Sequence, residues 1–262
     1  MALLKATNPT MVAANSLVMA CALIGVSLMF FAPHLYWAGA YWIHALVIWQ
    51  VFNIVGISAG AHRYFSHGAF KCNRFWQWVM AHLCMVSLVG PPCIWAEAHV
   101  RHHLRSDKPD DPYARFAIGG GSAIDHTTRV TAKFLRVATK DSLHRITLRW
   151  YWGFVIAHAV VVVSIGVLFA INPLAALFWF YLVPAGLSQI TLRFILWTGH
   201  LRKLGYRNHE IPDTSNNWWF ASLISGGEGW HNNHHAYPFR AKMGERWWEI
   251  DPTWWFIRAI RQ

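Results

Sequence analysis

The sequence predicts an all-α, multi-pass membrane protein, with four transmembrane helices in two hairpins and a helical cap on the cytoplasmic side. Three observations carry that prediction. Residues 11–61 and 150–192 contain no Asp, Glu, Lys or Arg. Each block is too long for one crossing, which needs about 20 apolar residues. Each is also interrupted by a turn signal, Ala32-Pro33-His34 in the first and Ile171-Asn172-Pro173 in the second. The 262-residue chain is 55% hydrophobic and only 13% charged, too apolar for an ordinary soluble domain.

The spans follow in order as 11–31, 37–59, 151–171 and 174–198, within a single domain over 1–262. All 23 Lys and Arg lie outside the two blocks, and the turns near Pro33 and Pro173 have none. Nearly all the cations fall in 62–149 and 200–262, so these segments and both termini are expected in the cytoplasm. Lys5 alone precedes the first apolar run, which suits a first span better than a cleavable signal. The formal charge of +11 is largely this inside bias, with attraction to anionic lipid and acidic partners as its second use. No basic recognition module is present, which argues against nucleic acid. Cys21, Cys72, Cys84 and Cys93 form no CxxC pair and read as small buried residues.

Nine of the sixteen histidines form a pattern. The first group, HRYFSH, contains His62 and His67. The second, HVRHH, contains His99, His102 and His103, and the third, HNNHH, contains His231, His234 and His235. His200 stands where the fourth span ends. In HxxHH the members are i, i+3 and i+4, which share one face of an α-helix. In HxxxxH, five residues at about 100° each put the rings roughly 140° apart, so one ring must sit at a helix end or bend. Residues 73–89 between the first two boxes are apolar and aromatic, short for a crossing, and closed by Gly90-Pro91-Pro92. They read as an interfacial or re-entrant helix, which keeps the second box in the cytoplasm. The third and fourth spans leave and return, so all nine imidazoles reach one membrane surface.

Nine rings are too many for one ion, since first-row metals take four to six ligands, and two ions sharing them fit the count. Ligand type leaves iron, zinc, copper and manganese open. His34, His44, His82, His126, His144, His158 and His209 stand outside the pattern and read as ordinary core or surface histidines. Glu97, Asp107, Asp110, Asp111 and Glu228 lie near the boxes, where each can accept the free N–H of a ring and fix its tautomer. RWWEIDPTWWFIRAI at 246–260 pairs tryptophans with arginines and reads as an interface anchor.

The three boxes, in this order and with a membrane hairpin between the last two, resemble the integral-membrane fatty acid desaturases, most closely the acyl-CoA desaturase branch. GEGWHNNHH and the SDKPDDP run are similar to that branch as well, and the resemblance covers about 40–250. It implies a di-iron centre, with O2 as co-substrate, that introduces a double bond into a fatty acyl chain held as a thioester of CoA or acyl carrier protein. The implied ligands are His62, His67, His99, His102, His103, His200, His231, His234 and His235. Trp95 matches a tryptophan that lines the acyl tunnel. Where the family often has an Asn four residues before the histidine ending the last span, this chain has Leu196, which opens hydroxylation, acetylenic bond formation or oxidative decarboxylation as alternative outcomes. Arg193 is unexpected in a span; it either snorkels to the interface or meets an anionic substrate group.

A saturated C–H bond has no acidic proton, so a redox metal must attack it. The chain carries no haem-attachment motif or Cys cluster, so the electron donor is expected to be a separate protein such as a ferredoxin, a rubredoxin or a b-type cytochrome. The short chain, without a fused cytochrome, favours the bacterial inner membrane. A metal or haem transporter is the reading from another class. It requires ionisable residues along a midplane path, and the spans offer only Gln50, Asn53, His158 and Gln189. No HExxH pair supports a zinc protease.

Overall fold

The computed structural model describes residues 3–5, 9–31, 38–113 and 129–262. The Ala32-Pro33-His34 turn and His126 lie outside them. Four helices are long and apolar enough to cross a membrane: Ala13–Phe31, Tyr41–Ser66, Tyr151–Leu168 and Pro173–Thr198. The chain is an integral membrane protein built on these four.

Helix α1 (Pro9–Phe31) and α2 (Ala38–Val51) are apolar around most of their surface. Leu23, Phe30 and Phe31 of α1, with Ile43 and Val47 of α2, are exposed, as a lipid-facing belt requires. The second span does not stop near residue 59. It continues as a π-helical segment, Phe52–Ser66, which carries the first histidine box within the helix. The i→i+5 hydrogen bonding of a π-helix turns residues five apart toward one side. This explains how HxxxxH converges: His62 sits in the segment and His67 caps its end, with ring centroids 5.1 Å apart.

Helix α3 (Arg74–Val86) begins at Asn73, whose side chain accepts from the Trp76 N–H at 3.1 Å. At 1.5 Å per residue it is about 20 Å long, short of a hydrocarbon core of about 30 Å. It lies against the π-helical segment at close range. A Cβ at Gly56 would come within 2.8 Å of the Leu83 carbonyl carbon, so only glycine permits this approach. Pro91 and Pro92 then open α4 (Pro92–Arg105), where the missing proline N–H costs nothing.

In the connecting region, strands β1 (Leu3–Lys5) and β2 (Arg129–Thr131) pair antiparallel, followed by α5 (Ala132–Ala138) and α6 (Ser142–Arg149). Asp141 caps α6 by accepting from the Leu143 N–H at 2.8 Å. Helix α7 (Tyr151–Leu168) is the third span. Asn172 caps the fourth, accepting from the N–H groups of Leu174 and Ala175 at 2.9 and 3.2 Å. That span comprises α8 (Pro173–Leu177), a π-helical turn (Phe178–Leu182) and α9 (Val183–Thr198). Three shorter helices follow: α10 (Trp219–Ser225), α11 (His231–Ala236) and α12 (Pro252–Ile260).

The core is layered along the bundle. Trp42 packs on Trp179 in one layer, with ring centroids at 5.6 Å. Val18, Phe52, Met85, Tyr151 and Tyr181 form another. Ile57, Ala61, Cys84, Trp95, Leu192 and Leu196 form the layer that meets the histidines. The four cysteines are free and buried. Polar residues of the spans serve packing rather than a path: Gln50 and Asn53 both donate to the Ile224 carbonyl, and Gln189 donates to that of Ser87 at 2.7 Å.

Candidate metal centre

The nine patterned histidines meet in two groups. His62, His67, His99, His103 and His234 form one; His102, His200, His231 and His235 form the other. Within each group one ring nitrogen per residue lies within 4.8 Å of all the others. The i, i+3, i+4 spacing does not send a whole box to one centre. Helix α4 gives His99 and His103, one turn apart, to the first group and His102 to the second. Helix α11 does the reverse, giving His234 to the first and His231 and His235 to the second. The two helices therefore bridge both groups. His44, His82, His144, His158 and His209 belong to neither.

The rings face inward by their Nε2 atoms. His62 meets His234 at 2.8 Å, His103 meets His99 at 3.0 Å and His234 at 2.9 Å, and His231 meets His200 at 3.1 Å, all Nε2 to Nε2. The Nε2 atoms of His67, His102 and His235 are buried without a hydrogen-bond partner among the described residues. Burial, reinforced by the neighbouring rings, pushes His67 down to about 3 and holds His99, His231, His234 and His235 well below the ordinary histidine range. Neutral rings presenting inward lone pairs suit a cation between them. The all-imidazole donor set, without thiolates, accepts iron, zinc or copper.

Carboxylates stand on four of the outward Nδ1 atoms. Glu228 grips Nδ1 of His62, Asp111 that of His102 at 2.9 Å, Asp107 that of His200 at 3.1 Å and Asp213 that of His235 at 2.8 Å. Such bonds fix the tautomer that leaves Nε2 free to bind. Each carboxylate is itself anchored. Glu228 accepts from Ser58 and from Arg63, whose guanidinium also donates to Asp251 at 2.8 Å. Asp107 accepts from the Thr214 N–H and hydroxyl at 2.6 and 2.8 Å. Burial pushes Glu228 and Asp107 up. The charge of Arg63 with the bonds from His62 and Ser58 on the first, and the His200 and Thr214 bonds on the second, outweigh it and hold both well below the usual carboxylate range.

Three of the five carboxylates expected near the rings, Asp107, Asp111 and Glu228, stand on a ring nitrogen. Glu97 is buried on α4. Asp110 does not reach a ring; it is exposed and pairs with Arg105 at 2.8 Å, because it lies on the outer side of the turn after α4. Asp213 was not anticipated, as it lies far from every box in sequence. The asparagines were missed too. Asn217 accepts from the N–H groups of Asn232 and Asn233 at 3.1 and 3.2 Å and so supports α11 from within the HNNHH motif. Asn216 donates to the carbonyls of Thr198, Gly199 and Leu201, fixing the turn that carries His200.

A narrow, largely apolar pocket adjoins the centre. Ile57, Trp95, Leu192, Ile195 and Leu196 line it, and His62, His99 and His231 complete the wall from both groups. Trp95 is stacked on His99 at 5.9 Å and 11°. Arg193 does not line this pocket. It turns back along α9, donating to the Gln189 carbonyl and side chain at 2.9 and 2.5 Å, since the apolar span offers no nearer acceptor.

Residues 41–261 match the fatty acid desaturase family model. A Delta-9 acyl-lipid desaturase of Arabidopsis thaliana is 29% identical, covering 88% of this chain and 75% of that protein. An sn-1 stearoyl-lipid 9-desaturase of Anabaena variabilis is 26% identical, covering all of this chain and 94% of that protein. An acyl-CoA 5-desaturase of Anemone leveillei is 25% identical, covering 87% and 71%. With most of its length matched, from the second span to the tail, this oxidoreductase belongs to the fatty acid desaturase family.

Proposed function

We propose that the protein uses O2 and two externally supplied electrons to place a double bond in a fatty acyl chain, with two iron ions held by the nine histidines. The observation that carries the reading is the pair of ring groups beside an apolar pocket whose wall includes His62, His99 and His231. His62, His67, His99, His103 and His234 hold one ion, and His102, His200, His231 and His235 the other. Bound iron supplies the O2 activation and hydrogen removal that acid–base groups cannot perform on a saturated methylene.

The remaining work belongs to the chain. Ile57, Trp95, Leu192 and Leu196 bind an alkyl segment by burial, worth about 0.8 kcal/mol per methylene. They exclude water and set which methylenes lie beside His99 and His231. Glu228, Asp107, Asp111 and Asp213 keep the Nε2 atoms of His62, His200, His102 and His235 aimed inward throughout. The basic segments around the centre support a cytoplasmic site with both termini on that side, in a bacterial inner membrane.

A thioester of CoA or acyl carrier protein is the proposed carrier of the acyl chain. The relatives named as acyl-lipid desaturases favour a second reading in which a membrane lipid carries it. One experiment separates these. Purified protein, analysed for metal and reduced anaerobically, is exposed to O2 with an acyl thioester or an acyl lipid, and products are identified by mass spectrometry. Loss of two hydrogens from one substrate class supports the reading and names the carrier. Gain of oxygen points to hydroxylation, and a single bound zinc with no oxygen uptake removes the proposal.

A further inference from the structure

We infer that the basic groove between the exit of the π-helical segment and the C-terminal tail docks an acidic one-electron carrier protein. This rests on the desaturase reading, in which two electrons per turnover come from outside the chain. The groove encloses about 960 Å³, and Lys71, Arg240, Lys242, Arg258 and Arg261 line it. Glu245 is the one acidic side chain among its lining residues, and Arg240 at 3.1 Å and His209 at 2.8 Å already occupy it. Lys71, Lys242 and Arg258 are exposed, with no carboxylate partner among the described residues. Clustered cations of one sign steer an oppositely charged protein and orient it.

The wall is rigid and coupled to the centre. Arg63 donates to the Ala241 carbonyl at 2.7 Å and to Glu228 at 3.1 Å, and Glu228 holds His62. The Gln262 N–H donates to the Lys71 carbonyl at 2.9 Å, closing the groove's other side. Arg240 lies over the Tyr237 ring at 3.7 Å and Arg261 over Trp254 at 4.8 Å, which fixes both guanidiniums.

Phe239, between Tyr237 and Arg240, is 76% exposed, yet its ring meets that of His67 in the five-ring group at 6.3 Å. An exposed aromatic ring in contact with a ring of the centre gives a docked carrier a short path inward. A lipid headgroup would satisfy the cations but leave this contact without a purpose. Two encounters deliver two electrons. With two protons from solvent, and the two protons and two electrons that the –CH2–CH2– unit gives up as two hydrogen atoms, they reduce O2 to two waters as the C=C bond forms.

The test uses the full chain in detergent, loaded with iron, and a plant-type [2Fe–2S] ferredoxin as probe. Calorimetry is run from low to high salt. Binding is expected to weaken steeply with salt. The Lys242→Glu/Arg258→Glu double variant is expected to bind about tenfold more weakly with a flatter salt dependence, and Lys242→Gln/Arg258→Gln to fall between. Lys140→Glu, reversing an exposed cation outside the groove, is expected to keep ferredoxin affinity within about twofold. Unchanged ferredoxin affinity in a double variant that retains its metal overturns the inference. Loss of affinity for a short-chain phosphatidylglycerol, with ferredoxin binding intact, also overturns it and assigns the groove to lipid. Ferredoxin binding at the groove with acyl chains left saturated overturns the desaturase reading and leaves the docking site standing.

Discussion

His62 and His234 are 172 positions apart in the chain, and their Nε2 atoms face each other at 2.8 Å. One lies in the last turns of the second span and the other sits on α11, so this contact joins the membrane bundle to the C-terminal segment through two candidate metal ligands. The two groups it helps to define are unequal, five rings against four. Losing one donor should therefore hurt them unequally. His234→Ala leaves four rings in its group, whereas His231→Ala leaves three. Metal analysis is expected to give about two ions per wild-type chain and about one for His231→Ala, with His234→Ala closer to wild type. If either substitution empties both positions together, the groups act as a single site.

Asp213 and Asp110 test which carboxylates matter. Asp213 holds His235 Nδ1 at 2.8 Å in a buried setting, and Asp110 pairs with Arg105 at the surface. Asp213→Asn keeps shape and removes charge, so it is expected to lower metal affinity about 10- to 100-fold. Asp110→Asn is expected to change affinity by less than about twofold. Competitive titration with a chelator reads both, and equal effects would show that Asp213 does not orient its ring.

The contrast between these two aspartates shows what the sequence could reveal. Charge-free blocks and their turn residues marked four apolar spans, because bilayer thickness imposes a long, uniform signal, although the second helix runs on past 59 to Ser66. The i, i+3, i+4 spacing marked the second and third boxes, since helical periodicity is local. The division of each box between two groups depends on how α4 and α11 cross, and no local pattern encodes that crossing. The π-helical geometry that turns His67 toward His62 was equally hidden, for HxxxxH alone offers only a bend or a helix end. Asp213 lies 22 positions before His235 and reaches it only through the fold.

Leu196 gives a thermodynamic test of the four-ring group. Its side chain is buried, lines the pocket and lies one turn before His200. In the metal-free protein, Leu196→Asn buries an amide among Ile57, Trp95 and Leu192, which is expected to cost about 1–3 kcal/mol. If the amide reaches the ion held by that group, directly or through water, metal loading should recover most of the loss. Thermal melts of the variant with and without metal measure this. An equal deficit in both states would mean that position 196 does not communicate with the centre.

Arg74 and Asp141 join α3 to the cap of α6, with the closest N–O distance at 2.5 Å. The hydrogen bond from Arg74 brings Asp141 down to about 2. A depressed carboxylate contributes stability that is fully present above its ordinary value near 4 and is lost as pH falls through about 2. The pair is 43% exposed on each side, so solvent screening leaves the ion pair well under about 1 kcal/mol. Loss of the cap adds about 1 kcal/mol. The melting-temperature gap between wild type and Asp141→Ala should hold steady from about pH 7 to 5 and shrink below about pH 4. A gap that widens on acidification would contradict the sign.

At Gly186 the first and fourth spans approach each other closely. A Cβ there would lie 1.9 Å from the Val18 carbonyl oxygen and 2.7 Å from the Ala22 Cβ. Between apolar spans, association depends on close van der Waals packing rather than on escape from water, so a small residue at the crossing is a source of stability. Gly186→Ala must push α1 away from α9. Overpacking of this kind costs about 1–3 kcal/mol or more. The consequence should extend along α9, because the same helix carries Leu192 and Leu196 on the pocket wall and ends at the turn bearing His200. The variant is therefore expected to melt earlier and to lose metal from the four-ring group before the five-ring group, whose residues come from other helices. Melting curves combined with metal analysis test both parts. A variant as stable as wild type would mean that the spans can separate freely, and simultaneous loss of both ions would mean that displacement of α9 does not act through His200.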